Sequence, residues 1–109
     1  MKFVLISRHT NGAEVPESEK QANLKAMGEW LALLKLEQAL PIRGGTSVTA
    51  NNVEEYKGDI GGVLVFEADN LEQAVALARQ SPGLKYGFTH EVLPEISMDQ
   101  ASQSQVNAS

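Results

Sequence analysis

The sequence predicts an α+β fold in which an antiparallel sheet carries two helices on one face. Two apolar runs, FVLI at residues 3–6 and VLVF at residues 63–66, have the composition of buried strands. Each run is followed by a stretch whose apolar residues recur at three- and four-residue steps, the period of an amphipathic helix. The predicted order is strand, helix, one or two short strands, strand, helix, strand. This order is that of a ferredoxin-like, split βαβ fold.

The first half of the chain reads as one strand and one long helix. Residues 2–9 form the strand, and an Asn-Gly pair and a proline then break the chain. A helix is predicted over residues 17–40, begun by a capping box of Ser18 and Gln21 and ended by Pro41. Its apolar stripe consists of Leu24, Met27, Trp30, Leu31 and Leu34.

The middle of the chain is the least regular segment. Two short strands, near 46–49 and 53–57, are predicted around an Asn51-Asn52 turn, and a long loop is the alternative. Residues 61–68 follow as a strand that is apolar on both faces.

The last third supplies a helix and a strand. Asp69 or Asn70 caps the helix, and the Ser-Pro-Gly at 81–83 ends it. The final strand lies within residues 86–96. The segment 97–109 is polar and predicts a disordered tail, which leaves residues 1–96 as the single domain.

Composition limits the possible partners and the compartment. The 109 residues carry a net charge of −5, with no cluster of Lys and Arg, which disfavours nucleic acid and membrane surfaces as partners. There are no cysteines, no run long enough to span a membrane and no signal-peptide pattern. The expectation is a soluble cytoplasmic protein that binds no membrane.

The two central strands predict a partner for the sheet. Two helices cover one face only, yet both strands are apolar on both faces. Monomers seldom expose an apolar patch of that size. The sequence therefore predicts a homodimer, sheet against sheet.

Two stretches resemble a known family. EYKGDIGGVLVFEADNLEQAVALA at 55–78 resembles the family stretch ETKEQLGGYYLIEADDLDEALELA, and HEVLPEI at 90–96 is similar to a family strand that ends VEVRPI. The chain thus resembles, over roughly residues 1–96, the DGPF-like branch of the YCII-related family of dimeric α/β-barrel proteins. The signature Asp-Gly-Pro-Phe is replaced here by residues 50–53, Ala-Asn-Asn-Val. Some relatives place an Asp on the first strand and a His on the first helix; His9 and Asn23 stand at those positions here.

The candidate catalytic residues are His9 and Asp59. His9 ends the first strand on the same face as Phe3 and Leu5, and an imidazole titrates near neutrality, as a general acid or base must. Asp59 can orient it. The alternative is that both residues are merely solvated at a strand end and a turn.

The candidate substrate-binding residues are Lys57, Arg43 and His90. Lys57 and Arg43 can hold an anion, and Arg43 precedes a Gly-Gly pair whose N–H groups can assist. Surface solvation is the alternative for both. His90 alternates with Phe88 and Val92, a register that also fits a half-buried, hydrogen-bonded core histidine.

Neither a metal nor a cofactor is expected. No His-x-His or His-Glu-x-x-His spacing occurs, and the Gly61-Gly62 pair precedes a strand, whereas a phosphate loop precedes a helix. The first hypothesis is a cofactor-free enzyme using acid/base chemistry on a small carboxylate-bearing or aromatic compound, the aromatic class being implied by the resemblance. Its pocket is expected between the helix-free sheet face and the loops of the dimer. The alternatives are a non-catalytic binding or structural homodimer and a cofactor-free monooxygenase.

Overall fold

The computed structural model describes residues 1–108, with side chains as far as residue 103. The described chain contains six strands and three α-helices. In chain order they are β1 (Lys2–Arg8), α1 (Lys20–Leu33), β2 (Lys35–Pro41), β3 (Thr46–Val48), β4 (Val53–Glu55), β5 (Ile60–Glu67), α2 (Leu71–Ala78), β6 (Thr89–Pro94) and α3 (Met98–Ala108).

Four strands form one antiparallel sheet in the order β2-β5-β1-β6. This order, with α1 after β1 and α2 after β5, is the split βαβ arrangement, so the ferredoxin-like prediction is confirmed. Phe3 pairs with Phe66 and Leu5 with Leu64 across the two central strands. Helices α1 and α2 pack on these side chains, and the buried core is Phe3, Leu5, Trp30, Leu34, Phe66, Ala68, Ala74 and Ala78.

The two covering helices are tied to each other and to the chain around them. Trp30 of α1 donates its indole N–H to the carbonyl oxygen of Leu77 in α2, at 2.9 Å. Helix α2 begins with the predicted cap, because the Asn70 side chain accepts a hydrogen bond from the backbone N–H of Gln73 at 2.8 Å. The Trp30 hydrogen bond holds α1 against α2, and the Asn70 cap sets where α2 begins.

The predicted long helix is wrong in its last seven residues, 34–40. Helix α1 ends at Leu33, and residues 35–41 form β2, an edge strand paired with β5. The segment is made of good helix formers, but hydrogen bonding to β5 overrides that propensity. A register shift between Leu36 and Gln38 also breaks the period-two pattern that marks a strand.

The start of α1 also differs from the prediction. Its N-cap is Glu19, the last residue of a short 3-10 turn over Glu17–Glu19, and no side chain caps the helix. The predicted capping box of Ser18 and Gln21 is therefore wrong. The fixed φ of Pro16 directs the chain into that turn instead.

The two short strands predicted in the middle of the chain are confirmed. Strands β3 and β4 pair with each other and form a separate two-stranded sheet. The turn between them is closed by the backbone N–H of Thr49, which donates to the Asn52 carbonyl at 2.8 Å.

The tail predicted to be disordered is helical as far as the structure describes it. Helix α3 begins after Ser97, whose hydroxyl accepts a hydrogen bond from the N–H of Gln100 while the Gln100 side chain accepts one from the N–H of Ser97. This reciprocal pair is a capping box, which favours a helix start in a polar segment. Ser109, the end of the predicted tail, lies outside the described residues.

The face of the sheet opposite α1 and α2 carries a row of apolar side chains. Strand alternation and pairing place five of them together: Val4, Ile6, Val63, Val65 and Leu93. We call this set the outer face. In the described part of the chain, no helix combines the length and apolar character needed to cross a membrane.

Candidate functional site

A cavity of about 280 Å³ lies between α1 and the sheet. Leu5 and Leu64 line it from the sheet, Trp30 and Leu31 from α1, and Phe88 from the segment before β6. We call it the inner cavity. It lies on the helix-covered side of the sheet, whereas the sequence predicted a pocket on the outer face. The reason is that the buried residue of α1 is Trp30, near its end, whereas its first turns lie over Ser7 and glycines, which have little volume.

Four polar residues line this otherwise apolar cavity: Ser7, Asn23, Ser81 and His90. Ser7 of β1 and His90 of β6 are direct cross-strand partners. Asn23 comes from the first turns of α1, and Ser81 from the loop after α2. Four separate elements therefore bring polar groups to one apolar space, as in most small-molecule sites.

His90 has both ring nitrogens in hydrogen-bonding contacts. Its Nδ1 lies 3.0 Å from the carbonyl oxygen of Thr89, which can only accept, so Nδ1 carries the hydrogen. Its Nε2 lies 2.7 Å from Oγ of Ser81 and is therefore the acceptor of the serine hydroxyl. The ring stacks on Trp30, with centroids 6.0 Å apart and planes inclined by 11°.

The surroundings of His90 favour its neutral form. Burial lowers the pKa of His90 below its ordinary value of 6.5, against a smaller opposing effect of the Thr89 carbonyl. At neutral pH the residue is an uncharged imidazole with a basic Nε2. The expectation of a half-buried, hydrogen-bonded histidine is confirmed.

Asn23 lines the cavity, and its amide oxygen is buried. Its Oδ1 is inaccessible to solvent and accepts no hydrogen bond from any described residue. Most buried polar atoms in folded proteins have a partner, and one without a partner costs about 1–3 kcal/mol.

His9 lies at the mouth of the site. It borders an open cleft of about 470 Å³, together with Glu14 and Lys20, which we call the outer cleft. Asn23, Met27 and Phe88 line both the outer cleft and the inner cavity, so the two spaces adjoin. The His9 ring packs edge-on against Phe88 at a centroid distance of 5.0 Å.

Gly61 makes room for the His9 ring. A Cβ atom added at Gly61 would lie 2.2 Å from Nε2 of His9, closer than any van der Waals contact. The Gly61-Gly62 pair therefore does more than begin a strand, because its first member allows an imidazole to lie against the sheet.

The carboxylate of Asp59 is directed to Arg8. Oδ1 of Asp59 accepts a hydrogen bond from Nη1 of Arg8 at 2.8 Å, and the same guanidinium pairs with Glu91 through Nε. These two hydrogen bonds, first that of Glu91, raise the pKa of Arg8 above its ordinary value. Asp59 meets His9 only through the backbone, where the His9 N–H donates to the Asp59 carbonyl at 2.7 Å.

The remaining predicted residues lie away from the inner cavity. Lys57 and Arg43 are exposed and line neither this cavity nor the outer cleft. Of the predicted site residues, only His90 lines the inner cavity and only His9 lines the outer cleft. Among residues 1–103, whose side chains the structure describes, no group of three potential metal ligands comes together.

The other polar residues of the cavity have only weak signals in the sequence. Ser81 belongs to the helix-ending Ser-Pro-Gly and lies nine positions before His90, so no local pattern links the two residues. Ser7 can be placed opposite His90 only when the pairing of β1 with β6 is known. Asn23 interrupts the stripe of α1 four residues before Met27 and seven before Trp30, a spacing that puts all three on one helix face.

The family model for the YCII-related domain matches residues 1–94. The chain belongs to the YCII-related family. A solved structure of 5-chloro-2-hydroxyhydroquinone dehydrochlorinase (TftG) from Burkholderia phenoliruptrix AC1100, in complex with 2,5-dihydroxybenzoquinone, is similar in fold. The two chains are 22% identical. The match covers 88% of this chain and 94% of the TftG chain, with a TM-score of 0.55.

Another solved structure, 30S ribosomal protein S6 from Thermotoga maritima, is 14% identical over 99% of this chain and 96% of its own, with a TM-score of 0.38. No curated protein matches the chain.

Proposed function

We propose that this YCII-related protein is a small-molecule enzyme that needs no cofactor and uses acid/base chemistry in the inner cavity. The observation that carries the proposal is His90, a neutral imidazole held by Ser81 and Thr89 within an apolar cavity. Perturbed titratable groups in such cavities are typical of functional sites.

His90 is the proposed general base. Its Nε2 receives a proton from the Ser81 hydroxyl or from a ligand hydroxyl that reaches it, while Nδ1 remains bound to the Thr89 carbonyl. His9, at the adjoining outer cleft, is the proposed second acid/base group, next to where a ligand enters. Asp59, Lys57 and Arg43 have no part in this proposal, because their side chains lie elsewhere.

The proposed ligand is a small uncharged ring compound. No charged side chain among the described residues lines the inner cavity, so a buried carboxylate would lack a counterion there. The ligand in the TftG structure, 2,5-dihydroxybenzoquinone, supports a compound of this size.

A binding module without catalysis is the second candidate. It is favoured by the engagement of the Asp59 carboxylate with Arg8, which leaves His9 without a carboxylate partner. The two candidates differ in turnover: the enzyme converts compounds that bind and loses this conversion in His90→Gln, while the binding module returns them unchanged.

We further propose that the protein acts as a homodimer whose subunits meet through the outer face. Five apolar side chains lie together there, opposite the helices, and burying such a patch contributes about 25 cal/mol per Å².

The test is a thermal-shift screen of small ring compounds on the native protein and on Leu64→Phe. Leu64 lines the inner cavity, so a larger side chain fills it. We expect some compounds to raise the melting temperature of the native protein and not that of Leu64→Phe. Equal shifts in both proteins, or no shift with any compound, would contradict the proposal. Leu33→Phe, at an exposed position that lines neither the inner cavity nor the outer cleft, is the matched control and should respond as the native protein does.

A further inference from the structure

We infer that Ser81 is a nucleophile activated by His90, and that the inner cavity takes small aromatic esters whose acyl group Ser81 accepts. This inference rests on the proposed function and deepens it. It keeps the same cavity and the same base, and it adds the bond that the base helps to form and the class of substrate.

Ser81 and His90 have the arrangement that an activated serine needs. Oγ of Ser81 lies 2.7 Å from Nε2 of His90, and Nδ1 of His90 donates to the Thr89 carbonyl at 3.0 Å. A nucleophile, a base within hydrogen-bond reach and a third group that orients the base recur in enzymes that form covalent intermediates. The Ser81 hydroxyl is thus hydrogen-bonded to the atom that takes its proton.

The Ser81 hydroxyl lies in the wall of the cavity. Ser81 lines the inner cavity together with Gly83 and His90. Oγ lies between these two neighbours, since it also accepts a hydrogen bond from the Gly83 N–H at 3.3 Å. A serine hydroxyl has one donor and two acceptor positions, so one lone pair of Oγ is left for bond formation.

The structural alternative is that Oγ only caps the short 3-10 turn over Pro82–Tyr86. The hydrogen bond from the Gly83 N–H is sufficient for that role, and a cap needs no histidine. Ser97 shows this in the same chain, because its Oγ caps α3 by accepting from the N–H of Gln100. The contact with a buried imidazole is what the turn leaves unexplained.

The proposed reaction is acyl transfer to Ser81 followed by hydrolysis. Oγ attacks the carbonyl carbon of the ester as its proton moves to Nε2 of His90, and the bond to the phenolic oxygen breaks as Nε2 returns the proton to that oxygen. A water molecule, deprotonated by the same nitrogen, then attacks the acyl group and releases a carboxylic acid and free Ser81.

Two backbone groups suit the charges that develop in this reaction. The Gly83 N–H, 3.3 Å from Oγ, is a donor close to the carbonyl oxygen on which negative charge forms. The Thr89 carbonyl, which accepts from Nδ1, stabilises the positive charge that His90 acquires with the proton.

The rest of the wall determines the body of the substrate. Trp30 and Phe88 offer aromatic surfaces, and Leu5, Leu31 and Leu64 offer aliphatic ones. A flat ring fits such a wall. Since no charged side chain of residues 1–103 lines the cavity, an uncharged ester is favoured there and the carboxylate product is not.

Phenyl acetate is the probe for the reaction, and the released phenol is measured. We expect the native protein to release phenol faster than buffer does, and His90→Gln to be slower by about 100-fold or more, because glutamine cannot take the proton. Leu64→Phe should also lose the activity, since its larger side chain fills the cavity. His9 is present in all three proteins and cancels from the comparison.

Phenylmethylsulfonyl fluoride locates the nucleophile in the native protein. It transfers its sulfonyl group to an activated serine with loss of fluoride, and peptide mass spectrometry identifies the modified residue. We expect an adduct on Ser81 and none on Ser97, which is exposed and caps α3 without a histidine. Ser97 is an internal control in the same sample, so this arm does not depend on the folding of a variant.

The outcomes separate this inference from the proposed function. The role of Ser81 is overturned by the absence of an adduct on Ser81, by phenol release no faster than in buffer, or by equal release in His90→Gln. The cavity then stands as a binding site if phenylmethanesulfonamide, which is unreactive, raises the melting temperature of the native protein and not that of Leu64→Phe. If there is neither an adduct nor a shift, both proposals are overturned.

Discussion

His90 lies in the inner cavity with Nδ1 bound to a backbone carbonyl and Nε2 to a serine hydroxyl. Both contacts suit the neutral ring, because a protonated ring would have to donate from Nε2 as well. Burial against Trp30 acts in the same direction, since it removes water that would stabilise a charge.

This protonation state predicts a stability that depends on pH. Burial lowers the pKa of His90 in the folded protein below the value of 6.5 that it has when unfolded. The unfolded chain therefore binds the proton more tightly, and the stabilisation is complete above pH 6.5 and is lost as the pH falls through the folded-state pKa. As the pH is lowered below 6.5, we expect the urea midpoint of the native protein to fall more steeply than that of His90→Gln.

His90→Gln is the control because it retains an acceptor for Ser81 but does not titrate. His9 is present in both proteins and cancels from the comparison. Parallel pH profiles for the native protein and His90→Gln would contradict the assignment of a neutral, buried His90.

At the scale of single residues, the sequence predicted the surroundings of some site residues and missed those of others, for physical reasons. The period-two alternation of residues 88–92 was sufficient to predict the half-buried His90, because strand alternation is local. The contact between Ser81 and His90 depends on a loop that folds back on β6, which no local pattern encodes. The orientation of Asp59 was missed because its partner, Arg8, lies far away in the sequence, on β1.

At the scale of elements, the boundary between α1 and β2 is where local propensity and tertiary structure disagree. Leu34 already has extended dihedral angles, with φ −86° and ψ 145°, although neither a glycine nor a proline is near it. The strand exists because β5 offers an unpaired edge, and hydrogen bonding to that edge exceeds the helix propensity of residues 35–40. Elements with strong local signals, such as β1, β5 and α2, were predicted correctly.

Helix α1 contains a glycine that nothing in the fold requires. Gly28 is exposed in the middle of the helix, and an added Cβ would have no heavy atom within 4 Å. Gly28→Ala should therefore stabilise the protein by about 0.5–1 kcal/mol, as measured by urea unfolding. Gly44→Ala is the contrasting control: Gly44 has φ +67°, so alanine there should destabilise. A destabilising Gly28→Ala would mean that α1 is not a regular helix at this position.

For the whole molecule, the proposed dimer depends on the outer face. The central β5 strand directs Val65 to this face, opposite Phe66, which is wholly buried on the other side. Val65→Lys should convert a dimer into a folded monomer, because a lysine ammonium cannot be buried between two sheets without a partner.

Light scattering tests this prediction. The native protein should have about twice the monomer mass of 11.8 kDa, and Val65→Lys the monomer mass. Leu24→Lys makes the same chemical change on the exposed side of α1, where Leu24 is 75% exposed, and should remain dimeric. A native protein of 11.8 kDa would contradict the proposed dimer.

Trp30 permits the most direct test of the central claim, that the inner cavity binds a small ring compound. It is the only tryptophan of the chain, it is 5% exposed, and it lines the cavity while stacking on His90. Titration of the native protein with phenol, with excitation restricted to the indole, should give a saturable change in fluorescence that Leu64→Phe does not give. A signal that changes linearly without saturation, or identically in Leu64→Phe, would contradict the claim.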